Sequence, residues 1–140
     1  MNNSTVGIFL VAILIVGAMV LAVILLTRKK GSSLNKENYQ SRWLLIENSL
    51  SRYEASSYSL SILNADKLLD QALRESGYKG ETMGERMKSA KEVWSNPNHV
   101  WGAHKIRNKI AHEPDVQLSY EIAARSLSAF KQALKDVGAI

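Results

Sequence analysis

Apolar residues in this chain fall first in one unbroken run and then at helical intervals. Residues 6–26 read VGIFLVAILIVGAMVLAVILL; as a helix this stretch is about 32 Å long, enough for a hydrocarbon core of about 30 Å. The first 27 residues carry no charged side chain, so such a helix would have no face suited to water. The run predicts a single membrane-spanning segment. A cleaved secretory signal would need a basic start, an apolar run of roughly 7–15 residues and a small-residue cleavage site. Here MNNST is not basic, the run is longer, and it ends in Thr27-Arg28-Lys29-Lys30. Positive charge is retained on the cytoplasmic side, so RKK predicts a single-pass protein of the cell membrane with its N-terminus outside and its C-terminal domain in the cytoplasm. Residues 1–30 are then an anchor with a basic flank, held in the lipid bilayer through residues 6–26. Residues 31–35 are a linker, GSSLN, and 36–140 a separate domain.

From Lys36 onward the spacing is helical throughout, with no alternation long enough for a strand. Tyr39, Trp43, Ile46 and Leu50 form the stripe of a first helix. Residues 55–76 form a second, with Tyr58, Ile62, Ala65, Leu69 and Leu73 on one side and Gly77 as its stop. Thr82-Met83-Gly84-Glu85 is a capping-box pattern that opens a third, with Met83, Met87, Ala90 and Trp94 as its stripe. Pro97 suits the first turn of a fourth, which Pro114 ends. A fifth starts near Ser119 and carries Ala123, Leu127, Phe130, Leu134 and Val137. The fold class expected is all-α: one transmembrane helix followed by an antiparallel bundle of four to five helices.

Charge narrows the chemistry. The chain has 18 Lys and Arg against 13 Asp and Glu, but Arg28, Lys29 and Lys30 account for most of the excess. The remaining domain has a net charge of only about +2, too little for a global nucleic-acid footprint, and the RKK cluster reads as an attraction to anionic lipid. With no cysteine there is no disulfide, thiolate metal site or cysteine nucleophile. His99, His104 and His112 lack the i, i+4 spacing of a helical zinc site. GETMG is not a phosphate loop. No cofactor and no metal are expected.

One turn breaks the apolar pattern. In HKIRNKIAHEP, residues 104–114, a helical wheel with Ala103 at 0° places Val100, Ile106, Ile110 and Ala111 on one arc and Arg107 within it, near 40°. His104 and Asn108 lie on one margin of the arc. A guanidinium there requires a partner or a cleft, because an uncompensated buried charge costs several kcal/mol. The second helix offers an acid, Asp66, on its own apolar side, so Asp66 and Arg107 are expected to face each other. That pair alone could simply fix helix register, but it does not account for Asn108 and His112. His112 is formally about 140° from Arg107 on the wheel; a frayed helix end before Pro114 would let the long arginine reach it. Asn108, at i, i+4, could orient its ring.

The run Arg107-Asn108-Lys109-Ile110-Ala111-His112 resembles the R-N-x-x-x-H form of the motif of the HEPN superfamily, small helical-bundle proteins of which many are metal-independent endoribonucleases. The stretch NADKLLDQAL, residues 64–73, is similar to the long helix that precedes the motif in these bundles, and the likeness covers roughly 36–138. By average composition, such a match arises by chance in fewer than about one in a hundred chains of this length. The resemblance implies a homodimer whose two motifs face one cleft, with RNA as substrate. His112 would move a proton while the RNA 2′-hydroxyl attacks the adjacent phosphate, Arg107 would stabilise the phosphorane, and Asn108 would assist. Asp66 and His104 would support them, His104 with Lys105 and Lys109 lending a local positive edge. These residue types suit that chemistry, since imidazole titrates near neutral pH and guanidinium binds phosphate in bidentate fashion. A ribonuclease of this kind would have an antitoxin or another protein partner. The alternative is a non-catalytic, membrane-tethered bundle that dimerises, binds a nucleotide or binds a protein. Trp94 belongs to the third helix's core stripe, and Trp101 is a candidate dimer contact.

Overall fold

A computed structural model of the chain describes residues 3–27 and 34–140. The basic cluster 28–30 and the first three linker residues lie outside the described residues. Two compact units are present, Met1–Lys30 and Gly31–Ile140. All regular structure among the described residues is helical.

The first unit is α1, Asn3–Thr27. Its stretch Ser4–Ile24 has 21 residues and a mean hydropathy of 3.1, long and apolar enough to cross a membrane. Apolar side chains cover it all round, as the exposed Ile8, Phe9, Leu14 and Met19 show.

The second unit is a bundle of α2 (Lys36–Ser49), α3 (Ser56–Glu75), α4 (Met83–Ser89), α5 (Pro97–His112) and α6 (Tyr120–Asp136). α3 is central and packs against each of the other four, while α5 also lies along α6. The stripes read from the sequence form the core: Tyr39, Trp43 and Ile46 meet Ile62, Ala65, Leu69 and Leu73, with Ala123, Leu127, Phe130 and Leu134 on the far side, all buried. Leu50 and Val137 pack at the core's margin. Cross-links between α2 and α3 run in opposite numerical order, Tyr39 with Glu75 and Ser49 with Ser61, so the two helices are antiparallel.

Helix ends follow local chemistry. Gly77, at φ 82°, and Gly138, at φ 76°, each allow a Schellman closure: Tyr78 N–H donates to the Leu73 carbonyl and Ala139 N–H to that of Leu134. Thr82 and Glu85 form a reciprocal capping box. Trp94, beyond the end of α4, is buried and donates its indole N–H to the Met87 carbonyl at 3.1 Å. α5 begins on Pro97 under the Asn96 cap and is regular through His112, with Glu113 extended before Pro114.

Candidate functional site: a ring of four side chains

Two helices build the site. On α3, Asp66 lies between core residues Ala65 and Leu69 and is 4% exposed, so its carboxylate requires partners from elsewhere in the fold. α5 supplies them at helical spacing. His104 Nδ1 lies 2.8 Å from Asp66 Oδ1, and Arg107 Nε is 3.1 Å from Asp66 Oδ2. The Nε–H of Arg107 is not aimed at that oxygen and has no hydrogen-bond acceptor, so this contact is between charges. Arg107 Nη1 donates to Asn108 Oδ1 at 3.1 Å, and Asn108 Nδ2 lies 3.3 Å from His104 Nε2. The four side chains close a ring through three hydrogen bonds and one ion contact.

The ring admits one ordering of protons. Arginine can only donate, so the Asn108 oxygen must face Arg107 and its NH2 must face His104. His104 Nε2 therefore accepts, Nδ1 carries the hydrogen, and that hydrogen goes to the Asp66 carboxylate. The chain of donors starts at a permanent cation and ends on a buried anion, and each link fixes the next.

A groove of about 960 Å³ opens above this ring, between α3, the start of α4 and α5. Its acids are largely occupied. Asp66 serves the ring, and Asp70 is gripped by Arg86, whose Nε and Nη2 lie 2.7 and 3.0 Å from its oxygens. Glu85 accepts the backbone N–H groups of Glu81 and Thr82, which hold its carboxyl below the usual glutamate range. Trp101 forms a wall and meets the His104 ring edge-on, with centroids 6.0 Å apart. Gly84 lies over the histidine: a Cβ there would stand 3.9 Å from His104 Nε2 and 4.0 Å from Trp101. The missing side chain keeps the groove open at this point.

The structure thus joins Asp66, His104, Arg107 and Asn108, and it places His112 apart from them. His112 is exposed on the last turn of α5 and is not among the residues lining the groove. The expected fraying does not occur, so the wheel separation from Arg107 persists, and Asn108 turns to the histidine four residues before it instead of the one four after. Ala111, on the apolar arc by phase, is also exposed, because the last turn of α5 projects beyond the core. Trp101 lines the groove within one chain. The buried Asp70–Arg86 pair and the opening at Gly84 were not read from the sequence. The recurrence of Asp at 66 and 70, one turn apart on α3, was the signal available for the first.

Comparison with protein-family models, curated proteins and solved structures finds no match to this chain.

Proposed function

We propose that this chain is a membrane-tethered protein of the HEPN type that binds RNA on the cytoplasmic face of the bilayer and, as a homodimer, cleaves it without a metal. One observation carries the reading: Asp66 and Asn108 hold Arg107 by Nε and Nη1, leaving Nη2 without a protein partner on a side chain that is 35% exposed. A guanidinium fixed in this way is ready to bind a phosphate oxygen. His112, exposed at the end of the same helix, is free to meet a substrate or a second chain. In the reaction, His112 takes the proton of the 2′-hydroxyl as O2′ bonds to phosphorus. The P–O5′ bond breaks, O5′ receives a proton from an imidazolium, and Arg107 neutralises the charge that builds on the phosphorane. The products are a cyclic phosphate and a 5′-hydroxyl. The apolar helix and the RKK that follows it support the anchor and its orientation.

A second reading has its own support. Asn108 is engaged by His104 instead of His112, as suits a bundle in which Arg107 is structural and the domain serves assembly at the membrane. The deciding experiment incubates the full chain, in nanodiscs and chelator-containing buffer, with RNA. Cleavage that disappears in His112→Ala supports the nuclease. Intact RNA at high protein concentration sinks it and leaves the assembly reading.

A further inference from the structure

We propose that the groove over the ring is a binding site for one nucleoside monophosphate per chain, distinct from the His112 cleft and independent of dimerisation. The argument begins with charge. With Asp66 and Asp70 paired internally and Glu85 held by backbone N–H groups, the α3–α5 side of the groove presents cations in excess. Lys67 and Lys105 are exposed, line the groove and have no ion-pair partner among the described residues. Arg107 Nη2 lies on the same side. The α4 side has the opposite character: Glu81 is exposed there, and Lys88 is balanced by the neighbouring Glu85.

A groove that is cationic on one side and acidic on the other does not offer the continuous basic track a polynucleotide backbone requires. It suits a ligand with one anionic end and one uncharged planar end. The Trp101 indole supplies an aromatic surface for a base, and Asn64 and Asn108 supply amides able to read polar edges. The volume, about 960 Å³, lies within the range of about 300–1,000 Å³ usual for small-ligand sites. Ring order contributes as well, because Arg107 need not be immobilised when a phosphate arrives.

Gly84 supplies the test, because a side chain there fills the groove while every ring residue is left in place. A Cβ at 84 makes only ordinary contacts, so the variant is expected to fold. The full chain in nanodiscs is titrated calorimetrically with AMP, GMP, CMP and UMP, and separately with adenosine and inorganic phosphate. At least one monophosphate should bind saturably at one per chain, more tightly than nucleoside or phosphate alone. Gly84→Met should weaken binding by about tenfold or more, and Lys67→Glu/Lys105→Glu should do the same through charge, a loss that shrinks as salt rises. His112→Ala should bind normally, so loss of RNA cleavage and loss of nucleotide binding are separate results. The proposal is overturned if no monophosphate binds at about 1 mM, if Gly84→Met binds as the parent does, or if only RNA oligomers compete for the groove.

Discussion

His104 donates from Nδ1 to Asp66 across 2.8 Å and so holds α5 against α3 at the one place where the core carries an anion. The same carboxylate lies 3.1 Å from Arg107, so two helical positions three residues apart converge on a single acid. Residues at i and i+3 share a helix face, and the pairing therefore fixes both the rotation and the register of α5.

Removing the acid should cost more than removing either partner. Asp66→Asn leaves Arg107 without its counter-charge, and we expect a loss of about 2–4 kcal/mol. Arg107→Ala should cost about 1–2 kcal/mol, because its guanidinium is partly hydrated and Asp66 keeps His104. Urea unfolding of the two single variants and the double variant should give a coupling of about 1 kcal/mol; strict additivity would mean that the ion contact contributes nothing.

The proton order of the ring can be seen directly. Long-range ¹H–¹⁵N spectra should show His104 with Nδ1 protonated and Nε2 bare. In Asn108→Asp the group facing Nε2 becomes a carboxylate, which can only accept, and a second proton should appear on the ring. A parent spectrum showing Nε2–H would mean that the Asn108 amide is turned and Arg107 is not bound as described.

Two glycines near the groove should respond oppositely to alanine. At Gly80, φ is 151° and a Cβ would come within 2.7 Å of the Arg86 backbone nitrogen, so Gly80→Ala should destabilise by about 1–3 kcal/mol or more. Gly84 lies in the first turn of α4 with ordinary contacts around its Cβ position, and Gly84→Ala should be neutral or stabilise by up to about 1 kcal/mol. Thermal melts of both variants distinguish the cases, and equal losses would contradict the assignment.

Acid should loosen the bundle over a defined window. The Gln71 amide, and after it the Tyr39 hydroxyl, holds the Glu75 carboxyl below its ordinary value of 4.5. Backbone N–H groups do the same for Glu85 and Glu121. A depressed carboxyl stabilises the fold above its unfolded value, and that contribution is lost as pH falls through the folded value. Tm should therefore stay level from about pH 7 to pH 5 and decline below about pH 4.5. Glu75→Gln should flatten part of the decline, and an unchanged acid limb would remove Glu75 from the account. Tyr39 responds at the other extreme: burial, reinforced by Glu75, pushes its phenol up.

What the sequence determined by itself was one-dimensional and local. The unbroken apolar run, the stripes of the five later helices, the Thr82 and Asn96 caps, the glycine stops and the break at Pro114 all follow from spacing, backbone freedom and hydrogen bonding within a few residues. Helical phase was enough to place Arg107 opposite Asp66, since both lie inside apolar arcs. Tertiary structure decided which histidine the arginine's neighbours use. His104 sits on the margin of its arc, and it becomes buried because the first turn of α4 and Trp101 close over it. His112 stays outside because α5 remains regular to its end. The groove likewise belongs to tertiary structure alone: it requires three helices, an absent side chain at Gly84, and acids satisfied by residues far away in the chain.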